Sequence, residues 1–199
     1  MTGVQTCALP IYLFYSHRYD PETPLEETLQ ALVDIVRQGK ALYVGISNWP
    51  LEPLKFGYEY LKAHDVPLLI YQGRLNMLDR KPQDTGILDF CADNGVGFIA
   101  FSPLAQGLLT DRYLNGIPKD SRMSKGKFLR EEMLTPALLE KLQRYNQAAE
   151  SRGETLAEMA LAWILHQRGV TSVLVGASST AQLEKNLRCV TAAPFDEEL

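Results

Sequence analysis

The feature that most constrains this chain is a recurrence of short, almost wholly apolar runs, at residues 12–16, 41–46, 67–71, 96–101 and 171–175. Each run is followed by a stretch with helical periodicity. Runs that stay apolar instead of alternating are the pattern of strands covered on both faces. Alternation of such strands with helices implies a parallel sheet joined by right-handed crossovers. Ligands of parallel sheets bind just beyond the carboxyl ends of the strands. The polar residues that close each run are therefore the candidate site: Ser16, His17 and Arg18, then Ser47, Asn48 and Trp49, then Gln72, then Ser102, and last the turn at 176–179.

The segments between the runs carry their own punctuation. Thr23-Pro24-Leu25-Glu26 reads as a capping box with proline at the first helical position, Leu25, Leu29, Leu32, Val33 and Val36 form one face, and Gly39 ends the helix. A second helix at 51–64 has Leu54, Tyr58 and Leu61 on one face, and a third at 86–93 is expected to take Thr85 as its N-cap and to stop at Asn94-Gly95. Thr135-Pro136 opens a fourth, with Leu138, Leu139, Leu142 and Tyr145 inward, and Thr155 with Glu158 caps a fifth bearing Leu156, Met159, Ala160, Trp163 and Ile164. His166, near the end of the fifth, reads as a partner of the helix dipole and not as a ligand. A last helix carries Leu183, Leu187 and Val190, and residues 194–198 read as the start of another. Residues 107–134 show no clear periodicity, which marks either a functional loop or a hidden element.

Composition sets the class. With 199 residues, 46% of them hydrophobic, the chain can build one domain with a sizeable core. Residues 1–10 lack both periodicity and the pattern of a signal peptide; they are expected to be a non-native leader ahead of a single unit at 11–199. A net charge of -4 with scattered lysines and arginines offers no basic surface for nucleic acid, so the expected partners are small molecules. Cys7, Cys91 and Cys189 are far apart and show no metal spacing, which fits reduced thiols in a cytoplasmic protein without a metal centre. No apolar run approaches the ~20 residues of a membrane span. Two architectures satisfy the alternation: an open doubly wound sheet, complete as it stands, or an eight-stranded barrel lacking three strands. No G-x-G-x-x-G or P-loop follows any strand, and the nearest Gly-rich turn, Gly176-Ala177-Ser178, opens a helix whose N–H groups can hold a phosphate.

Taken together, FYSHR at 14–18, YVGISNW at 43–49, Gln72, FSPLAQGLL at 101–109, NGIP at 115–118 with Ser121-Arg122 after it, and GASSTAQLEKN at 176–186 resemble the aldo-keto reductases. The likeness is closest to the subgroup of bacterial glyceraldehyde 3-phosphate reductases and potassium-channel beta subunits. It implies an α/β fold, an incomplete (β/α)8 TIM barrel made of about the last five strands with their helices. It also implies an oxidoreductase whose cofactor is NADPH, reducing small aldehydes or ketones by hydride transfer, with the chain a C-terminal fragment. By that resemblance, His17 hydrogen-bonds the substrate carbonyl, Ser47, Asn48 and Gln72 hold the nicotinamide carboxamide, and Phe101 stacks on the nicotinamide ring. Ser102, Leu104 and Gln106 follow the pyrophosphate, Arg112 and Arg122 approach the 2′-phosphate, and Gly176, Ser178, Gln182 and Asn186 clamp the adenosine. Lys185 departs from the family, which commonly has an acidic residue there. The family's proton-donating tyrosine, with its lysine and aspartate, has no match in this chain, so the fragment alone is expected to be inactive. The alternative is a non-catalytic nicotinamide-nucleotide-binding regulatory subunit.

Overall fold

The structure, a computed structural model, describes residues 11–118 and 129–195. Its frame is one sheet of five parallel strands: β1 (Ile11–Ser16), β2 (Ala41–Ser47), β3 (Leu68–Arg74), β4 (Gly97–Phe101) and β5 (Val170–Val173), neighbours in that same order. This order chooses between the two architectures. A doubly wound sheet reverses its strand order at a switch point so that helices cover both faces. Strands laid down in sequence order with right-handed crossovers put all their helices on one side, as in the wall of a barrel.

The helices are α1 (Leu25–Arg37), α2 (Leu51–Ala63), α3 (Lys81–Asp84), α4 (Ile87–Asp93), α5 (Pro136–Ser151), α6 (Leu156–Leu165) and α7 (Thr180–Leu187). Between them and the sheet lies the core, where Leu29, Val33, Val44, Ile46, Leu54, Leu61, Cys91, Phe98, Ala100, Leu142 and Met159 are fully buried. Strand register assigns the second face. Tyr15, Gly45, Ile70 and Gly97 sit side by side across β1 to β4, and one layer nearer the carboxyl edge Ser47, Gln72, Ile99 and Ser172 do the same across β2 to β5. The first of these rows alternates large and absent side chains. A Cβ on Gly45 would lie 2.7 Å from the Tyr15 ring, so the glycine is the space the ring occupies.

Local expectations meet the structure unevenly. Gly39, at φ +69, closes α1 through its N–H to the Val36 carbonyl, and the capping box at Thr155 forms in both directions, at 3.2 and 2.7 Å. His166 does turn Nδ1 to the Ala162 carbonyl at 2.8 Å. The box at Thr23 does not form. Asp20 accepts the Thr23 hydroxyl at 2.8 Å and the Glu22 N–H at 3.0 Å, which leaves Pro24 as the residue that enters α1. Thr85 is likewise no N-cap: its hydroxyl donates back to the Lys81 carbonyl at 2.7 Å to finish α3, and left-handed Gly86 starts α4. β3 runs on through Gln72 to Arg74, so Gln72 lies in the strand and not after it, and β5 ends at Val173, two residues short of the expectation. Within the stretch lacking periodicity are short 3-10 turns at Ala105–Gly107, Asp111–Tyr113 and Glu131–Met133, and Leu108, Leu109, Tyr113 and Leu129 pack into the core. Leu183, Leu187 and Val190 are 40%, 55% and 70% exposed, so the apolar face of α7 is not the one it buries; Asn186 and Cys189 point inward. Residues 1–10, Arg122 and residues 196–198 lie outside the described residues.

Candidate functional site

All parallel strands deliver their carboxyl ends to one edge, and there the polar residues gather. β2 ends in Ser47, 2% exposed and in register with Gln72 of β3. The next residue, Asn48, takes the left-handed conformation at φ 57, which asparagine tolerates better than most residues. That turn lets Asn48 tie three strand ends together. Its Nδ2 donates to the His17 carbonyl at 3.2 Å and to Ser47 Oγ at 2.9 Å, and its N–H donates to the Gln72 carbonyl at 3.3 Å. Its side-chain oxygen accepts no bond among the described residues, and the half-buried Gln72 amide makes none there either. A carboxamide presents one acceptor and two donors, so the Asn48 oxygen and the Gln72 amide match what a nicotinamide offers. The donor set fits the cofactor that the resemblance implies.

Phe101, half-buried, closes β4 beside Arg74, and Ser102 then turns left-handed at φ 53, followed by Ala105 at 46 and Gln106 at 61. Non-glycine residues held in this region cost on the order of 1–3 kcal/mol each and cluster at functional sites. Leu104 anchors the turn, its carbonyl accepting the N–H groups of Gly107 at 2.8 Å and Leu109 at 3.2 Å. On the far side, Ser178 and Gln182 close on each other, Gln182 Oε1 accepting Ser178 N–H at 2.7 Å and Oγ–H at 3.0 Å, while Ser179 caps α7. Beside Gly176 nothing lies within 4 Å of where a Cβ would stand. Asn186 is 4% exposed, and its Nδ2 is buried without a partner among the described residues.

The structure therefore brings His17, Ser47, Asn48 and Gln72 into one bonded group with Phe101 and Ser102 on the neighbouring strand end. It sets Gln182 and Asn186 apart on α7, with Ser178 just before that helix. Arg112 is exposed in its own 3-10 turn. A cleft of about 730 Å³ opens at the same edge, lined by Arg18, Asn48, Trp49, Arg74, Lys81 and Phe101 among others. His17, Ser47 and Gln72 are not among the residues that line it, and register puts Ser47 and Gln72 side by side on one sheet face. Arg74 is paired with Asp79 at 2.7 Å. Beneath the cleft the Tyr71 hydroxyl donates to the Trp49 carbonyl at 2.7 Å, and burial raises its pKa above the usual phenol range. Burial likewise pushes the Cys91 thiol up to about 12. Among the described residues no three His, Cys, Asp or Glu side chains are grouped to hold a metal, and no helix is long and apolar enough to cross a membrane. Sequence reasoning passed over Asn76, which ties the turn after β3 to Ser102. The Asn-x-x-Asp spacing of Asn76 and Asp79, a turn signal, was available to find it.

The comparisons bear on the family and the fold. L-glyceraldehyde 3-phosphate reductase of Escherichia coli O157:H7 is 50% identical over 190 residues, covering 94% of this chain and 55% of that protein. A probable voltage-gated potassium channel subunit beta of Arabidopsis thaliana is 33% identical, covering 92% of this chain and 57% of that protein. Among solved structures, a thermostable aldo-keto reductase in complex with the inhibitor epalrestat superposes with a TM-score of 0.71 at 28% identity, over 94% of this chain and 57% of that one. The chain thus spans little more than half the length of the relatives it matches, and its strand order makes it five consecutive units of their (β/α)8 barrel. With the sequence model of the Aldo/keto reductase family matching residues 5–199, the chain belongs to the aldo/keto reductase family.

Proposed function

We propose that this chain forms the cofactor-binding wall of an NADPH-dependent reductase of small aldehydes or ketones. The observation that carries the reading is the bonded group at the carboxyl edge, in which Asn48 joins the His17 carbonyl, Ser47 and the Gln72 carbonyl and leaves amide groups over. When bound, the cofactor supplies the hydride. Asn48 and Gln72 fix the carboxamide, and Phe101 supplies the flat wall that sets one face of the ring toward the substrate. Ser102, Leu104 and Gln106 carry the pyrophosphate, Arg112 and Arg122 pair with the 2′-phosphate, and Gly176, Ser178, Gln182 and Asn186 hold the adenosine. His17 donates a hydrogen bond to the carbonyl oxygen and orients it. Arg18, next to His17 and lining the cleft, favours an anionic substrate, in keeping with the phosphorylated aldehyde in the name of the 50% identical relative. With no tyrosine, lysine and aspartate matching the family's proton-delivery group, the chain alone binds cofactor without turning substrate over efficiently. The regulatory reading is favoured by the 33% identical channel subunit.

Titrating NADPH and NADH against the chain, with Arg122→Ala alongside, tests the proposal. A charge-assisted contact to the 2′-phosphate is worth roughly 1.5–3 kcal/mol, or about ten- to a hundredfold in affinity. NADPH is expected to bind tighter by that margin in the wild type and to lose it in the variant. Equal affinity for both nucleotides in both proteins, or binding of neither by a folded chain, would overturn it. Turnover of small aldehydes once the upstream barrel strands are supplied separates the enzyme from the regulatory subunit.

A further inference from the structure

Asn76 is a buried polar residue, 2% exposed, in the turn that follows β3. Its Oδ1 accepts the N–H groups of Leu78 and Asp79, each at 2.9 Å, while its main chain exchanges two bonds with Asp79 at 3.0 and 3.1 Å. These contacts alone would make it a turn residue. Its Nδ2, however, leaves the turn and donates to the Ser102 carbonyl at 3.0 Å, twenty-six positions along the chain. That carbonyl also accepts the Ala105 N–H at 3.0 Å, so two donors from different elements hold one peptide plane. Ser102 is left-handed at φ 53 and directly follows Phe101. A backbone in that region persists only where its surroundings over-determine it. Asn76 contributes to those surroundings from the turn that follows β3.

We infer that Asn76 is a positioning residue for the nicotinamide wall: by fixing the Ser102 carbonyl, next in the chain to Phe101, it sets the plane of the Phe101 ring. This rests on the reading of Phe101 as the wall beside a nicotinamide. Asn76 itself touches no ligand. Aspartate has the same shape and keeps the acceptor for Leu78 and Asp79, but its carboxylate cannot donate to Ser102, and two oxygens then face each other.

The test compares two ligands on the full chain. NADP+ uses the wall, whereas adenosine 2′,5′-bisphosphate carries only the adenosine and phosphate end. Asn76→Asp is expected to weaken NADP+ by about tenfold, the size of one lost buried hydrogen bond, and to leave the bisphosphate within about twofold. In Phe101→Leu the same substitution should add almost nothing, because its effect travels through that ring. Where Asn76→Asp does not fold, Asn76→Ser keeps an acceptor for the turn, cannot span to Ser102, and is held to the same expectation. Equal weakening of both ligands, unchanged NADP+ affinity in a folded variant, or full additivity with Phe101→Leu would overturn the inference while leaving the proposed function standing. A folded wild type that binds the bisphosphate but not NADP+ overturns the nicotinamide wall and this inference with it.

Discussion

Replacing Asn48 tests both halves of the site argument, the side-chain ties and the backbone conformation that aims them. Asn48→Ala removes the bonds to the His17 carbonyl and Ser47 Oγ. Each is worth roughly 0.5–1.5 kcal/mol, and because Asn48 is exposed the low end applies, giving about 1 kcal/mol for the pair. Alanine must also hold φ 57, where an L-residue with a Cβ pays about 1–2 kcal/mol. Asparagine, which also carries a Cβ, already bears part of that cost, so the expected loss for Asn48→Ala is about 1–2 kcal/mol. Asn48→Gly loses the same bonds but not the conformational term, and gives back roughly 0.5–1 kcal/mol because glycine has more unfolded freedom to surrender. The glycine variant should be the less damaged of the two by about 0.5–1 kcal/mol. Urea unfolding followed by tryptophan fluorescence reports it directly, since Trp49 is the adjacent residue and is 2% exposed. Both variants should also weaken NADP+, because the free amide oxygen has gone from each. An alanine variant at least as stable as the glycine one would refute the claim that the left-handed turn at Asn48 costs anything.

Three further substitutions test packing and burial. A Cβ on Gly73 would stand 2.8 Å from the Phe98 ring and 3.0 Å from the Tyr71 ring, which stack at 5.7 Å, so Gly73→Ala is expected to cost about 1–3 kcal/mol in urea unfolding, whereas Gly176→Ala, with nothing within 4 Å, should be neutral or slightly stabilising. Cys91, with its thiol pushed up to about 12, binds a proton in the folded state that the unfolded chain releases near pH 8.5. Its contribution to stability is whole below that pH and falls as pH rises toward the folded value, by at most about 1.4 kcal/mol per pH unit. Cys91→Ala should flatten the alkaline limb of the stability curve, with Cys189, Tyr15 and Tyr71, which burial also raises, supplying the slope that remains; an unchanged limb would contradict the assignment.

The barrel sector was legible because its apolar runs recur and polar residues close them at or after the strand end, a pattern set by burial and readable one residue at a time. The bonded group at the edge was legible only in membership. Ser47, Asn48 and Gln72 could be named from their motifs, but nothing in the sequence says that Asn48 bonds the His17 carbonyl, because that contact depends on a left-handed turn and on strand register. Capping failed where two residues compete for one hydroxyl. Thr23 has a glutamate three positions on, as a capping box requires, yet Asp20 on the other side offers a carboxylate at 2.8 Å and takes the bond. Thr155 has no such rival and its box forms. The apolar residues of the last helix were legible as sharing a side, but their exposure was not, since periodicity shows which residues share a side and not what covers it.

The ties along the carboxyl edge are uneven in a way that bears on how the site works. Side chains and turns join β1 to β2 through Asn48 and His17, β2 to β3 through Asn48 and Gln72, and β3 to β4 through Asn76 and Ser102. From β4 to β5 the edge is joined by the main-chain bond from Leu174 to the Ala100 carbonyl, and beyond it Gly176, Ser178 and Gln182 are exposed. A reacting group gains rate from geometry held to within about half an ångström, whereas a ligand's distant end needs only attraction. The rigid stretch carries the residues assigned to the nicotinamide and the carbonyl. The looser one carries those assigned to the adenosine, where Ser178 and Gln182 satisfy each other and must exchange that bond for one to the ligand.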